Sequence, residues 1–111
     1  MLIERGDVYW VRFDPSLGEE IQKTRPAIVI SNNAANKALE RVQVVPITSR
    51  TERVYPGEAL IEVRGEMRKA IASQLTTASK QRLGSKLGVL SPGDIARVET
   101  AVAVQLALKL K

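Results

Sequence analysis

Residues 25–31, RPAIVIS, and residues 42–48, VQVVPIT, carry most of the information about the fold. Each is a short apolar run rich in β-branched residues, which is typical of a buried strand. The polar stretch between them, residues 32–41, is long enough to hold one helical turn. Pro46 lacks a backbone N–H, so it predicts a bulge in the second run or a position at the edge of the sheet.

Further strands are predicted on both sides of these two runs. Residues 7–13, DVYWVRF, alternate in polarity and are followed by Asp14-Pro15, which ends a strand. Residues 16–24 are polar and show no clear period, so we expect a long connection of the kind that often has a function. The remaining predictions are strands at 59–63 and 70–77 and a turn at 64–69 around Gly65.

The last element is predicted to be a helix. Ser91 is a good N-cap residue, Pro92 suits the first helical position, and Asp94 places an acid in the first turn. After these signals, apolar residues recur at three- or four-residue spacing. They are Ile95, Val98, Val102 and Leu106. Five or more short strands followed by one helix predict a mainly β protein, a small curved sheet or open barrel closed by a helix.

Length and composition limit the class of protein. The 111 residues suit one compact core, so we predict a single domain over residues 1–111. A hydrophobic fraction of 44% beside 26% charged residues is typical of a globular protein. No apolar run approaches the ~20 residues of a membrane span, and no signal peptide is recognisable. We therefore expect a cytoplasmic protein without membrane contact.

The residue types that are missing limit the chemistry. The chain has no cysteine, which excludes disulfides and thiolate zinc sites, and no histidine, the usual proton shuttle near neutral pH. A formal net charge of +5 favours a polyanionic partner such as RNA, DNA or an acidic protein. We predict no metal and no cofactor, although composition does not exclude magnesium bound by carboxylates.

Arg25 and Thr48 are the residues best placed for phosphate chemistry. Arg25 begins one apolar run and Thr48 ends the next, so antiparallel pairing of the two strands would bring them together. Metal-free RNA cleavage needs charge stabilisation on the phosphorane, which arginine can supply. From the residues alone, the simpler interpretation is that Arg25 is a solvated charge at a strand end and that Thr48 is an ordinary β-branched strand residue.

Several motifs together resemble a known family. Residues 5–31 contain a strand that starts with GD and ends in DP, a loop with a glycine and an acid, and then RPAIVIS. PITS at 46–49, the Tyr55-Pro56 pair, Gln74 and KQRLG at 80–84 follow in order. This arrangement, which covers essentially the whole chain, is similar to that of the MazF/PemK toxins of type II toxin-antitoxin systems.

The resemblance implies a fold, an activity and partners. The fold is an SH3-like barrel of the CcdB/PemK type with a C-terminal α-helix, assembled as a homodimer. The activity is sequence-selective, metal-independent cleavage of single-stranded RNA that leaves a 2′,3′-cyclic phosphate and a 5′-hydroxyl and so inhibits translation and growth. The implied protein partner is a cognate antitoxin with an acidic segment that folds on binding, which a net positive charge would favour.

The resemblance also assigns roles to individual residues. It makes Arg25 and Thr48 catalytic, Arg25 as the stabiliser of charge because it is a poor base; the general acid and base stay open. It also favours Glu20 and Gln74 as RNA-binding residues. Ser49 could act like Thr48, and the basic residues of the later loops are expected to contact phosphates because of their charge: Arg50, Arg53, Arg64, Arg68 and Lys69. Ser73 and Thr76 depart from the family pattern, which has an acid and a base there.

Two other functions stay open from the sequence. A non-enzymatic gyrase poison of the CcdB type would share the fold, but would not require Arg25 and Thr48. An RNA-binding barrel without catalysis is the second alternative, and it is kept open by Ser73 and Thr76. Tyr9 and Trp10 are adjacent on one strand and must point to opposite faces, where each is expected in the core or in a dimer contact.

Overall fold

The structure is a computed structural model that describes residues 2–13 and 24–109. Its strands are β1 (Asp7–Arg12), β2 (Thr24–Val29), β3 (Arg41–Thr48), β4 (Glu58–Val63), β5 (Glu66–Ile71), β6 (Thr76–Ser79) and β7 (Leu83–Val89). Its helices are α1 (Asn33–Ala38) and α2 (Pro92–Leu106), with short 3₁₀ turns at Ala72–Gln74 and Lys80–Arg82. The mainly β prediction with a terminal helix is confirmed. The predicted connection at residues 16–24 lies, except for Thr24, outside the described residues.

The sheet is built from antiparallel pairs in the order β4-β5-β3-β2-β1-β7. β3 is its central strand, because it pairs with β2 on one side and with β6 and then β5 on the other. β6 and β7 are joined by the 3₁₀ turn at Lys80–Arg82. Strands β6, β3, β2, β1 and β7 thereby curve into an open barrel, while β4 and β5 form a hairpin that extends from β3.

Side-chain alternation along the strands produces two apolar cores, one on each face of the sheet. The inner core of the barrel contains Tyr9, Val11, Ala27, Val29, Val42 and Val44. The other core lies between the sheet and α2 and contains Ile28, Val45, Ile47, Ile61, Val98 and Ala101. Consecutive residues of β2 and β3 therefore face different cores, which fixes the register of both strands.

Helix α2 begins as the sequence predicts. The Ser91 side chain accepts a hydrogen bond from the Asp94 N–H at 3.1 Å. Asp94 is itself buried, and its carboxylate accepts from the Glu62 N–H at 2.9 Å and from Arg97 at 2.8 Å, which ties the first turn to β4. Leu106 was expected on the apolar face but is 50% exposed, so the contacts with the core end before the helix does.

The β4–β5 hairpin differs from the sequence prediction. Only Arg64 and Gly65, with φ of 52° and 80°, form the turn, and β5 already begins at Glu66. The predicted turn at 64–69 was therefore too long. β5 reads EMRKAI and is largely accessible, so it lacks the hydrophobic alternation that would have identified it.

Two further predictions about strands were wrong. The strand predicted at 70–77 is interrupted by the 3₁₀ turn Ala72–Gln74, which separates β5 from β6. Strand β7 was not predicted, because its sequence LGSKLGV contains two glycines and no apolar alternation. Its place in the sheet comes from pairing with β1.

Pro46 lies in the central strand, so the predicted edge position is wrong. On one side it is paired with Ala27 of β2. On the other side, β6 pairing ends at Val44 and β5 pairing begins at Ile47. The proline therefore lies where the ladder passes from β6 to β5, a point at which a missing N–H donor is tolerated.

Tyr9 and Trp10 face opposite sides of β1, as expected. Tyr9 is 2% exposed in the inner core, whereas Trp10 is 38% exposed. Tyr9 is therefore a core residue. Among the described residues, no helix is long and apolar enough to cross a membrane.

Candidate active site at one end of the barrel

A row of residues crosses the sheet at one end of the barrel. The strand register pairs Arg25 of β2 with Val11 of β1, and Thr48 of β3 with Lys69 of β5. The pairing of β2 with β3 ends at Ala27 and Pro46, and the same register continued by two residues brings Arg25 to the level of Thr48. This register supports the predicted proximity of Arg25 and Thr48.

Arg25 and Thr48 also share a face of the sheet. Side chains two residues apart on a strand point the same way, and Ala27 and Val44 both belong to the inner core of the barrel. Arg25 continues the Ala27 side of β2, and Thr48 continues the Val44 side of β3. Both side chains therefore lie at the end of the barrel interior, where the apolar core gives way to solvent.

Arg25 is exposed, and its guanidinium has no hydrogen bond or ion pair with another residue of the ranges 2–13 and 24–109. Within these ranges, no side chain competes with a ligand for its N–H donors. A planar guanidinium with free donors at a strand end is suited to bidentate binding of phosphate oxygens.

The Thr48 hydroxyl is held by the chain that follows it. Its Oγ1 accepts a hydrogen bond from the Arg50 N–H at 3.2 Å. Because the oxygen is the acceptor in this contact, the hydroxyl hydrogen remains available to donate to a ligand. The same contact starts the β3–β4 loop (residues 49–57), where Ser49, Arg50 and Arg53 are all exposed.

Lys69 also belongs to this row, and the sequence prediction placed it wrongly. It was expected in a turn as a phosphate contact, but it lies in β5 opposite Thr48. Its ammonium donates to the Arg53 carbonyl at 2.9 Å and pairs with Glu58 Oε1 at 3.0 Å. The ammonium is thus committed to the β3–β4 loop. Neither a motif nor a period marks this lysine in the sequence.

Glu58 joins Lys69 to the far end of the β3–β4 loop. The same oxygen, Oε1, also accepts from the Tyr55 N–H at 3.0 Å, and the Glu58 N–H donates back to the Tyr55 carbonyl at 2.8 Å. Burial alone would raise the pKa of Glu58. The hydrogen bond from Tyr55 and the hydrogen bond and charge of Lys69 outweigh it, so the pKa is lowered and the carboxylate form is favoured.

One predicted RNA-binding residue is not joined to Arg25 and Thr48 within the described ranges, and another lies outside them. Gln74 is exposed at the end of the 3₁₀ turn between β5 and β6, and no hydrogen bond within the described ranges links it to the pair. Glu20 lies outside the described residues. Thr76, which departs from the family pattern, is exposed and paired with Val44 on β3.

The sequence profile of a toxin family matches the chain. This is the profile of the PemK-like, MazF-like toxins of type II toxin-antitoxin systems, and it matches residues 4–106. The chain belongs to this family. The MazF-like assignment is supported by proteins of similar length: the endoribonuclease MazF9 of Mycobacterium tuberculosis is 32% identical, with 96% of this chain and 98% of that protein aligned. The endoribonuclease EndoA of Bacillus subtilis is 31% identical, with 97% of each protein aligned.

Solved structures of MazF-like proteins have the same fold. A MazF from Deinococcus radiodurans superposes with a TM-score of 0.84 at 25% identity, covering 97% of this chain and 99% of that one. A mycobacterial endoribonuclease in complex with its cognate antitoxin gives 0.80 at 28% identity, covering 98% and 99%. The predicted barrel with a C-terminal helix is therefore confirmed as the MazF-like fold.

Proposed function

We propose that this MazF-like chain is an endoribonuclease toxin that cleaves single-stranded RNA selectively and without a metal, and so inhibits translation and growth. The observation that supports the proposal is the β2–β3 register, which pairs Ala27 with Pro46 and, continued by two residues, brings Arg25 to the level of Thr48 at the end of the barrel. The family and the endoribonuclease relatives support the same class of reaction.

In the proposed reaction, the 2′-hydroxyl oxygen of the nucleotide 5′ to the cut attacks the adjacent phosphorus. The P–O5′ bond breaks, the 2′ proton leaves to a base, and the departing 5′ oxygen takes up a proton. The products are a 2′,3′-cyclic phosphate and a 5′-hydroxyl. With no histidine or cysteine in the chain, the substrate's own hydroxyl is the natural nucleophile.

Arg25 and Thr48 act on the phosphorane in this scheme. The guanidinium of Arg25 binds the oxygens that gain charge in the transition state, which is where a fixed cation contributes most. Thr48 donates its free hydroxyl hydrogen to another of these oxygens while Arg50 holds its oxygen in place. Ser49, Arg50 and Arg53 provide contacts to the RNA backbone on the adjoining loop.

We further propose that the protein is a cytoplasmic homodimer that a cognate antitoxin neutralises. A related endoribonuclease has been solved with its cognate antitoxin. The net charge of +5 favours an acidic antitoxin segment. The gyrase-poison and inactive-barrel alternatives are not favoured, since the matched relatives are endoribonucleases and Arg25 and Thr48 are both present.

The test is incubation of the purified protein with a mixed RNA pool, followed by mapping of the new 5′ ends. We expect cuts at a defined sequence, 5′-hydroxyl ends, and full activity in excess EDTA. A substrate with one deoxyribose 5′ to the cut should bind and stay intact. Cleavage of that substrate, or loss of activity in EDTA with recovery on adding magnesium, would replace this mechanism with a metal-activated water.

A further inference from the structure

The β3–β4 loop (residues 49–57) is fixed at both ends although it is not part of the sheet. At its start, the Arg50 N–H donates to Thr48 Oγ1. At its end, Glu58 Oε1 accepts from the Tyr55 N–H, and the Tyr55 carbonyl accepts from the Glu58 N–H. Midway, the Arg53 carbonyl accepts from Lys69. The backbone of this loop is therefore preorganised beside Thr48.

The loop is held by an ion pair between Lys69 and Glu58, which we call the clamp, and both residues belong to the sheet. Lys69 and Glu58 have side chains that are only 12% and 17% exposed, and their ion pair joins β5 to the first residue of β4. Lys69 is the cross-strand partner of Thr48. The loop is thus anchored one strand away from the residue that is proposed to contact the scissile phosphate.

Tyr55 presents its ring to solvent from this fixed backbone. The residue is 56% exposed, even though both polar groups of its backbone are paired with Glu58. Tyr55 belongs to neither apolar core, so its ring contributes less burial energy to the fold than a core aromatic such as Tyr9. A rigid backbone that carries an accessible ring close to basic residues is the arrangement that single-stranded nucleic acid sites use for stacking unpaired bases.

We propose that Tyr55 is a base-stacking residue for an unpaired nucleobase of the RNA and that Glu58 and Lys69 are the residues that position it. Arg50 and Arg53, on the same loop, favour a polyanion over an apolar peptide as the ligand. This inference rests on the proposed ribonuclease function and adds a binding residue to it. Because every base has a π-face, the contact contributes affinity and registers the strand without fixing the recognised sequence.

The ring is tested by binding of a labelled single-stranded RNA that carries the deoxyribose block at the mapped cut. Tyr55→Ala should weaken binding about 5- to 150-fold, while Tyr55→Phe should bind like the wild type. Val54→Ala is the matched control, since Val54 is a 45% exposed apolar residue of the same loop. In cleavage, the Tyr55→Ala loss should fall mainly on KM, with kcat largely retained.

The clamp is tested by Glu58→Gln, for which electrostatics and positioning predict opposite results. Removing a negative charge should tighten RNA binding if only charge matters. Release of the loop should instead weaken binding about 2- to 10-fold. Glu66→Gln makes the same charge change at the exposed first residue of β5 in the same hairpin and should not weaken binding. Glu58→Gln should cause no further loss in a Tyr55→Ala background, because the clamp acts through the ring.

The outcomes separate this inference from the proposed function. If the wild type cleaves RNA but Tyr55→Ala binds the RNA as tightly as the wild type does, the stacking role is overturned. The same conclusion holds if Tyr55→Ala loses affinity only for an antitoxin. Parallel shifts of Glu58→Gln and Glu66→Gln would overturn the positioning role. If the wild type binds this RNA through Tyr55 but cuts none, the ribonuclease proposal fails and the stacking site stands; no RNA binding at all would overturn both.

Discussion

Arg25 is brought to the level of Thr48 because β2 and β3 run antiparallel in a register that pairs Ala27 with Pro46, two residues away on each strand. Both side chains are on the face of the sheet that continues the inner core of the barrel. The register thereby directs the cation and the hydroxyl to the same end of the barrel, on strands whose paired residues Ala27–Val29 and Val44–Pro46 are buried. A site held in this way needs no rearrangement of the sheet to meet a phosphate.

Arg25→Ala should reduce the cleavage rate by about 100-fold or more, because the transition state loses its cation. The exposed strand start tolerates truncation, so folding and RNA binding should be largely kept. The measurement is the single-turnover rate on the mapped RNA substrate. Arg41→Ala, which truncates an exposed arginine at the start of β3, is the control and should cut normally. A folded Arg25→Ala protein with a near wild-type rate would exclude the proposed mechanism.

Thr48→Val should lower the rate by about 10- to 100-fold, since a hydrogen bond to a charged group contributes roughly 1.5–3 kcal/mol. Thr48→Ser retains both the donor to the phosphate and the acceptor for the Arg50 N–H, so it should restore most of the activity. Circular dichroism checks the fold of both variants. Equal rates for the valine and serine variants would show that the hydroxyl has no part in the reaction.

Trp10→Glu should weaken the expected homodimer. Trp10 is 38% exposed on the outer side of β1, and the short chain has no disulfide to stabilise a monomer. Sedimentation at micromolar concentration should give a dimer for the wild type and for Trp10→Phe, and a smaller species for Trp10→Glu. A monomeric wild type would contradict the proposed homodimer and the role of Trp10 in its contact.

Ala107→Gly should stabilise the protein by about 0.5–1 kcal/mol. Ala107 follows α2 with a φ of 56°, a left-handed conformation that disfavours a Cβ, and the Leu108 N–H closes the helix on the Ala103 carbonyl at 2.8 Å. Urea unfolding measures the change. Ala96→Gly, at an exposed position inside the same helix, should destabilise by about 1 kcal/mol. Destabilisation by both variants would mean that the Cβ of Ala107 does not strain the left-handed backbone at the end of α2.

Tyr9 should make stability fall at alkaline pH. Burial raises the pKa of Tyr9 above its ordinary value of 10.0, and the charge of Asp7 and the hydrogen bond to it act in the same direction. The folded state then holds the phenol proton more tightly than the unfolded state does. The stabilisation is complete below pH 10 and is lost as the pH rises through the folded pKa, by at most about 1.4 kcal/mol per pH unit.

Urea unfolding of the wild type and of Tyr9→Phe across this alkaline range measures the effect. The stability difference between the two proteins should shrink or reverse as the pH rises. Tyr55→Phe, which changes an exposed tyrosine, serves as the control and should follow the wild type. A pH-independent difference for Tyr9→Phe would contradict the raised pKa.

The sequence by itself determined the elements that have strong local signals. Apolar β-branched runs predicted β2 and β3, alternation predicted β1, and the cap at Ser91 predicted α2. The same signals placed Arg25 at a strand start and Thr48 at a strand end. Local signals were enough here because burial of a whole face imposes its period on the residues.

Only the tertiary structure decided the parts whose stability comes from distant partners. Strands β5 and β7 have weak patterns and exist because they pair with β3 and β1. Pro46 is tolerated in the central strand because the neighbouring ladder changes there from β6 to β5. Lys69 became a clamp for the β3–β4 loop because folding brings Glu58 and the Arg53 carbonyl to its ammonium. Such contacts join residues that are far apart in the chain, and no local period or propensity encodes them.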